Sequence, residues 1–481
     1  MEYVTGGFGC FPEALPVEVD EGEVASAQFA CTGAVPAEGW ALLSGPEGVT
    51  IDAASGVLTW QTDLDCAGTH KIVVEAQSGA DVEAGTATIL VNDAWEADGN
   101  TPPDLTTYGF EYGLPVISFT EPEGLNKEVS VPIELRYAGR LYNIEIQARG
   151  ATSSHYPKTS YRLDFAKDQE FQSVNEDWPQ RRKLALTTLF DDNAYFRQML
   201  CYDAWNSLSD TDTDIYSEFV VVYKDGAYWG LYMLTDHING EWWEDYGYFE
   251  DGNLYKSVNH AANFSDSFDG VAKESLRDGY EKKTGDEEDW TDLEGLIQFV
   301  IESDDATFDA GIGDYLAVQE VYDWWALVLL FSAYDTVGKN AYFYNDPAAP
   351  GFHLAPWDFN SSLGQTYLTT RQDAGDDWDF TDSNRLFLRL LASDVHGDAI
   401  RERLWAHWDG ALHPDLLNER IDGYLPLIER SMARDWAVWS AEYRAYDTWN
   451  DRTDFNEPAD EIAYIRTWIQ ERHDWVGEWS P

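Results

Sequence analysis

The order of two hydrophobic periodicities along the chain constrains its fold more than any other feature. Short β-type runs bounded by turn residues come first, for example at residues 141–148, 160–165 and 229–235. Longer runs with a helical period follow after about residue 285, at 290–301 and 315–333. Strands followed by helices predict an α+β fold, because a doubly wound sheet would alternate the two kinds of element.

Residues 1–92 are predicted to form a separate, small all-β sandwich, because their short β-type runs alternate with turn signals. Residues 45–60 resemble the repeat of bacterial cell-surface Ig-like and cadherin-like modules, which implies a spacer or a stalk. A polar, Pro-containing linker is predicted at 93–105, and residues 106–481 are predicted to form a second domain.

The charge of the chain excludes several classes of partner. There are 88 Asp and Glu against 31 Lys and Arg, a formal net charge of −57. With 44% hydrophobic and 15% aromatic residues, the chain is nevertheless a folded protein and not an acidic disordered tail. Charge of this sign along the whole chain repels nucleic acids and anionic lipid, and no apolar run approaches the roughly 18 residues of a membrane span. Such a surface suits high salt.

The cysteines are crowded at one end of the chain. Cys10, Cys31 and Cys66 lie in the first segment, and Cys201 lies alone in the rest. One bridge among the first three, with Cys31 to Cys66 as the expected pairing, would indicate an oxidising compartment. No signal peptide is visible, and its export signal could have been removed. The expected disulfide and the acidic surface predict a secreted or cell-surface location.

One stretch has the layout of a phosphoryl-transfer centre. Asp335 is followed five residues later by Asn340, then by a predicted hairpin at 341–355, and then by Asp358 before an aromatic residue. Protein kinases place a proton-accepting Asp and an Asn on one loop and a metal-binding Asp after two strands. The alternative is that Asp335 makes an Asx turn and that Asp358 caps a strand end.

A nucleotide site also requires cations, which are scarce in this chain. Residues 149–163 place a small, polar loop between two predicted strands, with Arg149 before it and Lys158 at the head of the second strand. Backbone N–H groups of the loop and Lys158 could approach phosphate oxygens, as in kinases. The alternative is that Arg149 and Lys158 pair with surface acids.

These residues resemble the spore coat protein H (CotH) kinase family of secreted or surface-associated atypical protein kinases. Four stretches carry the resemblance, at residues 149–163, 192–203, 279–285 and 334–359. The resemblance implies a bilobal, atypical protein-kinase-like domain over 106–481, with a β-rich N-lobe to about residue 240 and a helical C-lobe after it.

The resemblance also implies roles for individual residues. Asp335 matches the catalytic Asp, Asp358 the metal-binding Asp and Asn340 its companion ligand, and Lys158 matches the strand lysine expected on the phosphates.

Other matched positions carry less definite roles. Arg149 and Arg197 match basic positions, with phosphate contact or loop bracing as the two interpretations, and Asp203 is a candidate partner for Lys158. In 279–285, Lys283 or its neighbour Lys282 would approach the nucleotide from a lid, or the stretch is a solvated turn.

The chain departs from the family at Asn360, where many members carry a second acid. An amide brings no charge to Mg²⁺, so Asn360 would weaken the metal site if the acid of the other members helps to bind the ion. The implied function is an exported kinase that uses ATP and Mg²⁺ or Mn²⁺ to phosphorylate Ser/Thr-type hydroxyls of surface or coat proteins. The alternatives are a non-catalytic surface adhesin or assembly scaffold, and transfer of AMP on the same fold.

Overall fold

The computed structural model describes residues 12–92 with short gaps at 15–16, 22, 32–36, 47, 63–65, 67 and 79–80, and then residues 104–208, 213–376, 378–449 and 457–478. Cys10 and nearly all of the predicted linker lie outside these residues.

The secondary structure runs from strands to helices. The strands are β1 (Pro12–Glu13), β2 (Val17–Asp20), β3 (Val24–Gln28), β4 (Ala30–Cys31), β5 (Gly39–Ser44), β6 (Thr50–Ile51), β7 (Val57–Gln61), β8 (Gly68–Ser78), β9 (Asp81–Asn92), β10 (Phe110–Glu111), β11 (Leu114–Phe119), β12 (Val131–Tyr137), β13 (Arg140–Arg149), β14 (Ser160–Phe165), β15 (Lys183–Thr188), β16 (Ser217–Lys224), β17 (Ala227–Asp236), β18 (Asn253–Ser257), β19 (Ser267–Phe268), β20 (Val271–Ala272), β21 (Tyr280–Thr284), β22 (Ala341–Asp346) and β23 (Ala349–Pro356). The helices are α1 (Arg197–Trp205), α2 (Gly240–Glu244), α3 (Thr291–Glu302), α4 (Asp305–Gly311), α5 (Val318–Phe331), α6 (Arg385–Ala392), α7 (His396–Trp408), α8 (Pro414–Ala445) and α9 (Pro458–Gly477). The predicted α+β class is confirmed.

The N-terminal strands form two sheets around one core. One sheet has the order β4-β1-β9-β8-β5, with β2 also paired to β9, and the other has the order β3-β7-β6. Both contribute to a common core, with Trp60 from β7 and Ile72 from β8 among its members. Cys31 is disulfide-bonded, but Cys66 carries a thiol, so the expected Cys31–Cys66 bridge is wrong.

The next strands close into a barrel. They follow the order β11-β12-β13-β14-β15-β17-β16, and β16 pairs in parallel with β11. Ile144 and Ile146 of β13 and Tyr161 and Leu163 of β14 point into its apolar interior. Because side chains alternate along a strand, the positions between them face outward. These outward positions are polar, and they include Arg149.

The C-terminal half combines a second sheet with helices. The antiparallel sheet has the order β21-β18-β22-β23, and its hairpin β22–β23 is the one predicted from the sequence. Helix α5 is buried along most of its length and packs against α1, α7, α9 and β23. Helix α8, 32 residues long, lies against α1, α9 and β17 of the barrel. Within the described residues, no helix has both the length and the apolar character that a membrane span requires.

Candidate active site

Asp335 and Asn340 are in direct contact at the end of a single loop. The side-chain amide of Asn340 donates to the Asp335 carboxylate over 3.1 Å and to the Asp335 carbonyl over 3.2 Å. Asp335 lies in a short 3₁₀ turn that follows α5, and Asn340 immediately precedes β22. The five-residue spacing therefore forms a closed loop that presents both side chains on one side.

The hairpin register brings Asp358 to the same place. Ala341 pairs with Pro356, and the Trp357 N–H donates to the Asn340 carbonyl over 2.8 Å, so Asp358 follows directly beside Asn340. Asn340 and Asp358 both have left-handed backbone angles, with φ of 60° and 63°. Residues other than glycine rarely adopt this conformation, and when they do they are often at functional sites.

Asp335 is held in its ionised form. Burial opposes ionisation, but the contact with His260 and the charge of Lys339 hold the pKa of Asp335 below its ordinary value. The Lys339 ammonium lies 2.9 Å from the carboxylate and the His260 Nε2 lies 3.5 Å from it. Asp335 is therefore a carboxylate with fixed orientation, as a proton acceptor requires.

Asp358 has a different environment. Burial and the charge of Asp335 raise the pKa of the Asp358 carboxyl, while Lys256, Arg149 and Lys339 oppose the shift. Within the described residues, no protein group donates a hydrogen bond to its side-chain oxygens; its backbone contacts Tyr202 and Thr336. A half-buried carboxylate without a protein donor, beside the amide oxygen of Asn340, fits a hard cation such as Mg²⁺.

The described residues contain no group of three or more His, Cys, Asp or Glu side chains arranged to hold a metal ion. Asp358 and Asn340 would therefore supply only part of a Mg²⁺ coordination shell. This fits Mg²⁺ sites that are completed by substrate phosphates and water.

A cavity of about 970 Å³ opens in front of Asp358 and Asn340. It lies between the outer face of the barrel and the second sheet, and residues 237–241, which link β17 to α2, also line it. Its described lining contains eight of the chain's 31 basic residues but only six of its 88 acidic residues. The basic residues are Lys127, Arg149, Arg162, Arg182, Lys183, Lys256, Lys283 and Lys339. In so acidic a protein, this enrichment favours an anionic ligand.

Two of the predicted nucleotide-binding residues line this cavity. Arg149 lies at the end of β13, with its guanidinium 5.2 Å from the centre of a Trp357 ring. Lys283 lies on β21 and pairs with Glu281 of the same strand. The polar loop after β13 also reaches the cavity, through Gly150 and Ser153.

Lys158 does not reach the cavity. Its side chain is completely buried, and its ammonium donates to the Asp435 carboxylate of α8 and to the Leu231 carbonyl, the latter over 2.7 Å. Gly230, at φ 140°, leaves room for this pair, because a Cβ there would collide with both Asp435 and Lys158. The sequence-based role of Lys158 on the phosphates is therefore not supported by its position, since a ligand in the cavity has no path to its ammonium.

Arg197 is also internal. Its guanidinium is fully buried and pairs with Asp192 at the start of α1 and with Glu461 of α9, which Arg371 also contacts. Of the two interpretations offered by the sequence, bracing agrees with this position. Asp203 accepts a hydrogen bond from Tyr424, and its expected pairing with Lys158 is wrong because Asp435 occupies that place.

Asn360 faces an acid. Its amide donates to the Asp191 carboxylate over 2.5 Å, and Tyr156 donates to the same oxygen over 3.2 Å. Burial raises the pKa of Asp191 to about 6, and the nearby charges of Asp192 and Asp358 add to the shift. Asn360, where many family members carry an acid, therefore has Asp191 as its partner in this chain. A carboxylate at position 360 would repel Asp191.

Three residues of the site were not identified from the sequence. Lys256 on β18, Lys339 and His260 each lie near Asp335 or Asp358. Lys339 is the last lysine in the chain and stands next to Asn340, which is a signal that sequence reasoning could have used. Lys256 lies on a strand and His260 in a turn, and neither element contains a recognisable sequence motif.

Comparisons with known proteins identify a family for most of the chain. The model of a family described as CotH kinase protein matches residues 146–476. The inner spore coat protein H of Bacillus subtilis (strain 168) is 26% identical over 237 residues, which make up 49% of this chain and 63% of that protein. The match thus spans less than two thirds of the length of this curated relative.

Solved structures add little. An endo-fucoidan hydrolase of glycoside hydrolase family 107, MfFcnA4, is 13% identical, with a TM-score of 0.16, over 35% of this chain and 28% of that one. Human protocadherin-24 EC1-2 is 10% identical, with a TM-score of 0.16, over 36% of this chain and 93% of that one. With TM-scores this low, neither likeness bears on the fold.

Proposed function

The chain belongs to the CotH kinase protein family, and from this membership we propose that it transfers the γ-phosphate of ATP to Ser/Thr-type hydroxyls of surface or coat proteins. The observation that carries the proposal is that Asn340 and Asp358 line a cavity in which basic residues are concentrated, while Asp335 is hydrogen-bonded to Asn340. An adhesin or scaffold has no need for two carboxylates and an amide in this arrangement.

Each side chain has a defined task in this proposal. Asp335 accepts the proton of the attacking hydroxyl, and Asn340 and Lys339 fix the orientation of its carboxylate. Phosphoryl transfer depends mainly on positioning and charge stabilisation, which the basic residues of the cavity supply. Arg149 contributes from the barrel side, and Lys283 contributes from the second sheet.

Asp358 and Asn340 are the residues that would hold Mg²⁺ or Mn²⁺. The ion would neutralise charge on the phosphate oxygens when bound. The free carboxylate oxygens of Asp358 are available for this task because the described residues donate no hydrogen bond to them.

The remaining parts of the chain fit the same proposal. We propose that the barrel and the C-terminal sheet with its helices are the two lobes of an atypical kinase domain over 106–481, joined at about residue 240. Residues 1–92 would be an Ig-like spacer, followed by a linker at 93–105. Similarity to a protein described as an inner spore coat protein supports a coat or surface location, and the disulfide at Cys31 supports an exported protein.

Labelled ATP tests the proposal. The purified chain is incubated with Mg²⁺ or Mn²⁺ and with ATP labelled at the γ or the α phosphate, and label is followed into the chain itself and into a generic protein acceptor. Transfer of γ label that is lost in Asp335→Asn and Asp358→Asn supports a kinase, whereas transfer of α label indicates AMP transfer. No transfer at any salt concentration, together with no ATP binding by calorimetry, would favour a scaffold.

A further inference from the structure

The basic residues of the cavity differ in whether an acid neutralises them. Four have carboxylate partners, in the pairs Lys339–Asp335, Lys283–Glu281, Arg162–Asp164 and Arg182–Glu250. The other four have no carboxylate within ion-pair distance among the described residues: Lys127, Arg149, Lys183 and Lys256. In a chain with almost three acids per base, a cation in a cavity without an acidic partner is a notable exception.

Arg149 and Lys256 are distinguished within this group by their contact with Trp357. The Arg149 guanidinium lies 5.2 Å from the centre of a Trp357 ring, and the Lys256 ammonium lies 5.8 Å from one. The Lys256 ammonium is also 5.3 Å from the Tyr342 ring. Aromatic faces attract cations at such distances and restrict where they can go.

The two cations approach from opposite walls of the cavity. Arg149 lies on β13 of the barrel, and Lys256 lies on β18 of the second sheet. Trp357, which both cations contact, immediately precedes Asp358 in the chain. By contrast, Lys127 is exposed, and among the described residues neither Lys127 nor Lys183 has a cation–ring contact with Trp357.

Arg149 and Lys256 line the cavity together with the single carboxylate of Asp358, and neither has an acidic partner among the described residues, so this part of the cavity has an excess of positive charge. A divalent cation at Asp358 would increase this excess, and only an anion could balance it. Phosphate groups suit such a site, because their oxygens accept hydrogen bonds from both guanidinium and ammonium groups. The barrel and the second sheet therefore each supply one cation to the cavity that Asp358 also lines.

We propose that Lys256, with Arg149 opposite it, binds the phosphate groups of the nucleotide, in the role that sequence comparison gives to Lys158. The identity of the ligand as a nucleoside triphosphate rests on the proposed function. The anion site itself rests on the unneutralised pair. Lys158 is unsuited to this role because Asp435 neutralises it inside the core.

Calorimetric titration of the full chain with inorganic tripolyphosphate and with ATP, each in the presence of Mg²⁺, tests this inference. Lys256→Met and Arg149→Met each remove one charge-assisted contact, and each should weaken the binding of both ligands about tenfold or more. Lys256→Arg should restore part of the affinity. Lys71→Met is the matched control, because it removes the same charge from an exposed position on β8 and should bind both ligands as the wild type does.

Thermal unfolding of each variant establishes whether it is folded. If Lys256→Met does not fold, Arg149→Met provides the test. Wild-type affinity in both variants overturns the inference, as does a wild-type chain that binds neither ligand. Binding of tripolyphosphate that depends on Lys256, in a chain that transfers no phosphate from ATP, supports the anion site and contradicts only the proposed function.

Discussion

The Lys158 ammonium donates a hydrogen bond to the Asp435 carboxylate in the core, so that the barrel and helix α8 share one buried ion pair. Tyr195 and the Leu231 N–H donate to the same carboxylate, over 2.9 Å and 2.7 Å. Burial lowers the pKa of Lys158, and Asp435 opposes this shift. The pair is thus a structural tie between elements that are remote in sequence.

Lys158→Met is expected to destabilise the fold strongly without a specific effect on nucleotide affinity. The change leaves a buried Asp435 carboxylate without its cation, which typically costs about 3–5 kcal/mol. Urea unfolding measures the loss. The double variant Lys158→Met/Asp435→Leu should recover part of it, and a folded Lys158→Met chain with much weaker ATP binding would contradict this assignment.

Asp335→Asn and Asp358→Asn are expected to impair different steps, the first phosphoryl transfer and the second Mg²⁺-dependent binding of ATP. Loss of the proton acceptor at 335 should lower kcat by about 10²-fold or more with little change in ATP affinity. Loss of the carboxylate at 358 should weaken the dependence of ATP binding on Mg²⁺. Steady-state kinetics and calorimetry at several Mg²⁺ concentrations separate the two effects, and identical behaviour of both variants would contradict the division of roles.

Protonation of Glu461 should lower the free energy of unfolding at acidic pH. Burial opposes ionisation, but Arg197 and Arg371 hold the pKa of Glu461 at about 2. Because this value is below that of the unfolded chain, the stabilisation is complete above about pH 4.5 and is lost as the pH falls towards 2, a change of about 3 kcal/mol.

The variant Glu461→Gln should lower the free energy of unfolding at pH 7 and flatten its fall between pH 5 and 3. Chemical denaturation across this range measures both effects. Glu471→Gln, at an exposed position on the same helix, is the control and should follow the wild type. An unchanged pH profile in Glu461→Gln would show that other groups cause the acid sensitivity.

Asn360→Asp tests whether the departure from the family pattern is compensated locally. The change replaces the amide that donates to Asp191 with a second carboxylate, which should destabilise the chain by about 1–3 kcal/mol at pH 7. Addition of Asp191→Asn should reverse most of the loss, because an amide and a carboxylate would again face each other. Thermal unfolding of the two variants and the wild type decides the matter, and a stabilised Asn360→Asp chain would contradict this interpretation.

Salt should affect stability and nucleotide binding in opposite directions. Screening reduces the self-repulsion of a chain with a net charge of −57, so the unfolding midpoint should rise with NaCl. The same screening weakens the attraction between the basic cavity and phosphate, so ATP affinity should fall. Parallel unfolding and calorimetric series from low to high salt measure both trends, and ATP affinity that rises with salt would argue against charge-based binding.

The sequence predicts those parts of the site whose residues are brought together by structure that is local in the chain. A single loop and a single hairpin join Asp335, Asn340 and Asp358, and both elements have clear turn and strand patterns. Lys158 could not be assigned correctly in this way, because its partner Asp435 is 277 residues away. The spacing of residues 149–163 shows a lysine at the head of a strand but not which side of the sheet it faces.

Barrel closure was likewise beyond sequence reasoning. Strand β11 is buried at every position and therefore lacks the alternation by which a half-buried strand is identified. Its parallel pairing with β16 joins residues about a hundred positions apart. Lys256 was also not identified because its position depends on pairing between distant segments. Its strand, β18, pairs with β22, which lies far along the chain.

The tie between Lys158 and Asp435 also bears on how the chain acquires its structure during synthesis. Residues of the barrel leave the ribosome well before α8 does, so Lys158 emerges long before its counter-charge exists. Before residue 435 is synthesised, we expect the Lys158 ammonium to stay hydrated, because its buried position lacks a counter-charge. The side chains around it would then not be fully packed. We therefore expect the core of the barrel around Lys158 to complete its packing only after α8 has been synthesised.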